Sequence, residues 1–425
     1  MNNQRSNVSL IYFIIFLLSV SAVIIVITLP FSEYAYIRLD HIAWLLLFMV
    51  SIFKGPLIIN RLNKYPSTTP LLLFCIVAML STLSIFVIKI ANLNLYNSLW
   101  YQIALYQGSL IYFITLTVFP INKREIFIKT IIFLGIMLSI IGLLQFLRII
   151  PPYNYNPIEI TGDTRATALL SFNSAHLATY LLISIFFSYG YLLQRRNIIK
   201  KAVVLVGLLL MILVLIMTKS RSVWVGFFMG NIIIAFYTLT ISKGKSILLL
   251  IIVSVIMLAS IHYMIDIQEV FSNATGYQRE GAVYHRLTTY SLFWEYIKQH
   301  PLVLITGVGF MNWRYALAKG TIASTGHCVY LTILGDLGII GLVFFLWFWY
   351  RNFKMAQKLA REGDLWGRMF VAIIGAFLAA SLTADLLYPV WAMENLFFFI
   401  MLVSGVVLSS YNPENLSSPV EKVDS

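Results

Sequence analysis

Residues Ala202-Val203-Val204-Leu205-Val206-Gly207-Leu208-Leu209-Leu210-Met211-Ile212-Leu213-Val214-Leu215-Ile216-Met217 carry no charge, and they are bounded by Lys200 and Lys201 before and Thr218-Lys219-Ser220-Arg221-Ser222 after. Crossing a bilayer as a helix takes about 20 apolar residues, and this run has close to that length. Another apolar run opens at once from Ser222, and the pattern recurs along the whole chain of 425 residues. With 60% hydrophobic and only 11% charged residues, the composition excludes a soluble domain. It predicts an all-α polytopic membrane protein of about twelve transmembrane helices. The expected spans start near Val8, Ile42, Leu71, Gln102, Thr130, Ala175, Ala202, Ser222, Ser246, His327, Met369 and Ala392. The first has no small-residue cleavage site behind it and reads as a retained helix rather than a signal peptide. The second is interrupted by Gly55-Pro56.

The charges orient the helices. With the N-terminus inside, one set of loops carries Lys54, Arg61, Lys64, Lys123, Arg124, Lys129, Arg195, Arg196, Lys200, Lys201, Lys243, Lys245, Arg351, Lys354, Lys358, Arg361 and Arg368. The opposite loops hold far fewer cations, as the positive-inside rule requires. The net charge of +13 therefore reads as topology, with membrane lipids as the partner and no nucleic acid. Cys75 and Cys328 both sit in apolar runs and form no disulfide framework or metal spacing. The expected organisation is transmembrane helices over 1–264, an outer loop over 265–326, further transmembrane helices over 327–411, and a disordered cytoplasmic tail over 412–425.

Within the outer loop, Leu287, Tyr290, Trp294 and Ile297 recur at helical spacing. The spacing predicts an amphipathic helix over Tyr284–Gln299 lying along the membrane surface. His300-Pro301 should end it, because proline disfavours helix in the residue before it. Gly307-Val308-Gly309 reads as a turn. The loop closes on Gly326-His327, and His327 opens the next span.

Four ionisable residues oppose the charge bias at this outer face: Arg165, Arg221, Arg286 and His327. A charge at a membrane boundary is costly unless paired and so points to function. Guanidinium groups bind phosphate bidentately and stay charged, so three of them suit a diphosphate. A histidine beside them suits a general base. The plainer readings stand beside these. Arg165 and Arg221 snorkel to anionic headgroups, Arg286 is an ordinary loop residue, and His327 is a satisfied boundary histidine. Supporting candidates are His176, near Arg165 in sequence, and Asp336 and Asp385. For Asp336 the alternative is a packing hydrogen bond beside Gly335 and Gly338, small residues that allow close helix approach. No clustered Asp, Glu and His signature of a metal site and no phosphate-cradling glycine loop is visible, and no cofactor is expected.

The combination of Ser220-Arg221 opening a span, Arg286-Leu287 leading into a helix that ends in His300-Pro301, Gly307-Val308-Gly309, and His327 followed by Gly338-Ile339-Ile340-Gly341 resembles the O-antigen ligase and polymerase superfamily of bacterial inner membranes. The segment around Arg165, with Phe172-Asn173 and Ala178-Thr179-Tyr180-Leu181, resembles the same family. Cys328 stands where the family often has asparagine, and Asp336 where it often has glutamate. The resemblance implies a GT-C-like, metal-independent inverting glycosyltransferase working at the periplasmic face. Its donor would be a glycan on undecaprenyl diphosphate. Arginines matching Arg221 and Arg286 would hold the diphosphate, and a histidine matching His327 would activate the acceptor hydroxyl. The acceptor is lipid A-core for a ligase, which chain length and the loop favour, or a lipid-linked saccharide for a polymerase. A flippase for lipid-linked glycans would need polar residues deep in several spans, and these spans read as clean.

Overall fold

The computed structural model describes residues 29–32, 35–37, 48–49, 52, 54–56, 58–84, 95–150, 174–194, 197–241, 280–313, 316, 328–384, 386–388 and 394–412. The expected spans near Val8 and Ser246 and the expected disordered tail lie outside these residues, save for the start of the tail at 412. A short antiparallel ribbon, β1 (Leu29–Ser32) with β2 (Ala35–Ile37), is the one strand pairing among them. Pro30 sits in its first strand, and proline's missing N–H disfavours continuing a helix there. The described residues around Gly55-Pro56, 54–56 and 58–62, are helical.

Among the described residues, the α-helices from Thr68 onward are α1 (Thr68–Ser84), α2 (Leu95–Val118), α3 (Arg124–Phe146), α4 (Ser174–Leu193), α5 (Ile198–Met217), α6 (Arg221–Ile241), α7 (Glu280–Gln299), α8 (Val303–Thr306), α9 (Val329–Arg361), α10 (Leu365–Ala380) and α11 (Glu394–Leu408). Among the described residues, four helical stretches are long and apolar enough to cross a membrane: Ile121–Phe146, Ser174–Leu193, Ile198–Met217 and Val329–Arg361. Shorter apolar helices run over Thr68–Leu83, Arg221–Tyr237, Leu365–Ala380 and Leu396–Leu408. Residues 202–217, the run that announces the fold, lie within α5, started by Asn197, whose Oδ1 accepts from the Ile199 N–H at 2.9 Å.

Helix α4 is central, with 89% of its apolar window buried, whereas the window of α5 is 33% buried and turns Ile199, Val203, Val206, Leu209 and Leu213 outward. Helix α10 packs on α4, α6, α9 and α11. It approaches α6 so closely that a Cβ on Gly226 would lie 2.5 Å from the Ala376 carbonyl oxygen. In a membrane such contacts between small residues replace the hydrophobic drive available in water.

One end of the bundle is tied by charge. Arg124, opening α3, donates to Asp364 at 2.6 Å and also reaches Ser410 beyond α11. Asp364 in turn caps α10, its Oδ1 accepting from the Trp366 N–H at 2.9 Å. The turn from α9 to α10 is short because Gly363 adopts φ 91°, with the Asp364 N–H returning to the Leu359 carbonyl at 2.9 Å and that of Gly363 to Ala360 at 3.3 Å. Nearby, the Tyr112 hydroxyl joins Ser67 at 2.7 Å and donates to Asn352 Oδ1 at 2.7 Å, all three buried. The spans are thus less clean than their sequence suggests. These groups satisfy one another between packed helices, which is packing chemistry rather than a lined path.

Candidate functional site

At the opposite end, α10 stops and its unpaired carbonyls are taken up by neighbouring helices. The Ser381 carbonyl accepts from the Val329 N–H, the first residue of α9, at 3.1 Å. The Thr383 carbonyl accepts from the Ser222 hydroxyl, in the first turn of α6, at 3.0 Å. The Tyr330 hydroxyl donates to the Leu378 carbonyl at 2.7 Å. The last carbonyls of any helix lack intrahelical partners, so these bonds both complete α10 and fix where α6 and α9 begin.

Arg221 stands at this junction as the first residue of α6, exposed. It is placed by a tight reversal after α5. Lys219 takes φ 54°, Thr218 bonds back to the Leu215 carbonyl at 2.6 Å, and the Trp224 indole N–H reaches the same carbonyl at 3.1 Å. Cys328, the residue after His327, is the extended N-cap of α9 and offers the helix no side-chain bond. His176 lies in the first turn of α4, 5% exposed. The far end of α4 meets the start of α10, where Gly190 faces Met369 and Trp366, so His176 belongs to the Arg221 end. Arg286 lies in the second turn of α7. Arg165, His327 and Asp385 lie outside the described residues. Their described neighbours, Cys328 for His327 and Ala384 and Leu386 for Asp385, flank the junction in sequence.

Asp336 is wholly buried in α9. Its Oδ1 accepts from the Trp313 N–H at 2.8 Å and its Oδ2 from the Tyr388 hydroxyl at 3.1 Å. Here α9 breaks: Gly338 takes φ 69°, ψ −173°, a conformation open essentially only to glycine. The break matches Gly307, at φ 71°, ψ −179°. A Cβ on Gly307 would lie 2.0 Å from the Asp336 carbonyl oxygen, and one on Gly338 2.0 Å from that of Ile305. The carbonyls of Gly335 and Asp336 accept from the N–H groups of Val308 at 3.0 Å and Gly309 at 3.1 Å. Ser81 of α1 adds bonds to the carbonyls of Asp336 at 2.6 Å and Thr306 at 3.0 Å. Broken backbone at membrane depth is tolerated only where its polar groups are satisfied in this way. The two glycine clusters that read separately in the sequence are the two sides of one contact.

The helix expected over Tyr284–Gln299 is longer than expected, Glu280–Gln299, and ends before His300-Pro301 as the sequence predicts. Its buried face differs. Ile297 turns inward as expected, but Trp294 is 51% exposed, and Phe293 and Tyr296 turn inward with Val303, Val308, Trp313 and Leu334. The cause is Trp313, whose ring takes Phe293 at 4.5 Å and Tyr296 at 5.6 Å. Burial pushes the Tyr296 hydroxyl up to about 12, so it stays neutral. Sequence reading missed Ser81, Trp313, Ser381, Thr383 and Tyr388, because each acts through partners remote in the chain.

Residues 206–346 match the family model described as O-antigen ligase. No curated protein matches the chain. That segment takes in Arg221, Arg286, His327 and Asp336, and its match supports the likeness to the O-antigen ligase and polymerase superfamily. Arg165, His176 and Asp385 fall outside the match.

Proposed function

We propose that this protein, spanning a bacterial inner membrane about twelve times, transfers a glycan from undecaprenyl diphosphate to a sugar hydroxyl at the periplasmic face. Arg165, Arg221 and Arg286 offset the diphosphate charge. His327 takes the proton of the acceptor hydroxyl as that oxygen attacks the anomeric carbon, with inversion. The diphosphate leaves on its lipid without a metal, and the reaction needs no cofactor. His176, Asp336 and Asp385 support the site from the surrounding helices. The observation that carries this reading is the family match over 206–346, which contains Arg221, Arg286 and His327. The helix starts next to Arg221 and His327 meet at one end of α10. The acceptor favoured is lipid A-core, making the protein a ligase.

Donor binding tests the arginines. Arg221→Ala should weaken the affinity for undecaprenyl diphosphate by at least about tenfold, the loss of one charge-assisted contact. Arg221→Lys should recover only part of it, since lysine lacks the bidentate fork. Unchanged affinity in both would remove the diphosphate model. A requirement for added divalent metal would count against the mechanism. Surface glycan from a deletion strain tests the acceptor. Full-length polymer left unattached marks a ligase, whereas single repeat units on the core mark a polymerase and overturn the choice made here.

A further inference from the structure

The junction where α6 and α9 begin and α10 ends contains two hydroxyls that none of the bonds above uses. The Ser381 and Thr383 side-chain oxygens are buried and have no hydrogen-bond partner among the described residues. Ser381 is wholly inaccessible. Elsewhere in the bundle small hydroxyls turn back on their own helix, as Ser184 does to Tyr180, Thr115 to Ile111 and Ser404 to Ile400. Hydroxyls just past a helix end do the same, as Thr218 does to Leu215 and Ser409 to Val406. Ser381 and Thr383, just past α10, do not make this bond, and their backbone carbonyls are committed to Val329 and Ser222. A buried hydroxyl without a partner carries a desolvation penalty. Two of them lie where two helix N-termini converge, one with Arg221 as its first residue and the other without a side-chain cap. Helix N-termini favour anions, whose oxygens accept hydrogen bonds that hydroxyls donate.

We propose that the Ser381 and Thr383 hydroxyls hydrogen-bond the phosphate oxygens of the lipid diphosphate whose charge Arg221 offsets. This rests on the function proposed above and names two binding residues beyond it. In that arrangement Arg221 supplies charge and the two hydroxyls supply direction. The end of α10 thereby acts as the floor of the donor site.

The test uses the full chain in lipid nanodiscs titrated with undecaprenyl diphosphate. Ser381→Ala and Thr383→Val should each weaken binding roughly tenfold, the scale of one hydrogen bond to a charged group. The double variant should weaken it further, and Thr383→Ser should keep it. Thermal unfolding without ligand should be unchanged or shifted upward in both single variants, because neither hydroxyl holds the apo fold together. A hydroxyl that only supports packing would give the reverse: lower apo stability with normal affinity. Wild-type affinity in the double variant overturns the assignment, as does a loss of apo stability in either single variant. If Arg221→Ala weakens binding while the hydroxyl variants do not, the inference fails and the diphosphate reading stands. If Arg221→Ala also binds normally, the diphosphate reading itself fails.

Discussion

His327→Ala should insert, fold and melt as the wild type does, yet leave the acceptor unglycosylated. In the proposed reaction the acceptor oxygen is a hydroxyl, a weak nucleophile until its proton is taken, and general bases contribute about 10²–10⁴-fold to such steps. Loss of transfer by at least about a hundredfold is therefore the expected size. The start of α9 is anchored by the Val329 N–H to the Ser381 carbonyl, and chemistry built on an anchored helix end keeps its geometry. Removing the imidazole should leave this anchor in place, so stability is expected to survive. The assay is glycan attachment in membranes supplied with lipid-linked donor, with thermal unfolding as the control. Partial rescue by added imidazole would mark the lost group as a base. Normal attachment in the variant would sink the assignment.

The largest structural effect is expected at Gly338. In Gly338→Ala the new Cβ would meet the Ile305 carbonyl oxygen at 2.0 Å, and the backbone would have to hold an ε-region conformation that alanine resists. Strain and overpacking together predict a loss of about 2–5 kcal/mol. Gly307→Ala meets the Asp336 carbonyl in the same way and should cost as much. Gly363 separates the two causes: its φ is 91°, but nothing lies within 4 Å of its missing Cβ. Gly363→Ala should therefore show the conformational cost alone, about 1 kcal/mol. Equal unfolding temperatures for Gly338→Ala and the wild type would mean that the α8–α9 contact does not hold the outer segment in place.

Apolar runs without charge suffice to find the four described helices long and apolar enough to cross a membrane, since each satisfies its own backbone and needs no distant partner. The 202–217 run became α5, and Arg221 opens the next helix where the charge pattern places it. Helix α7 ends before His300-Pro301 because that stop is written in two adjacent residues. Its buried face was not legible. Two apolar stripes one residue apart compete on α7, and Trp313, from beyond the turn, decides for the one holding Phe293. Asp336 shows the same limit, because its bonds reach Ser81, Trp313 and Tyr388 across the fold. Serines and threonines within apolar runs look alike in sequence whether they bond back to their own helix or not. Ser381 and Thr383 stand apart only once that bond is seen to be missing.

Phe293, Tyr296, Ile297, Val303, Val308, Trp313 and Leu334 form a small core separate from the main one, joined to it where α9 changes direction. Effects of substitution are local when sites share no partners. This segment is therefore a module packed largely on itself, coupled to the bundle beneath through Leu342 and the Asp336 bonds to Trp313 and Tyr388. Variation among relatives should concentrate in its solvent-facing residues and halt at Gly307 and Gly338.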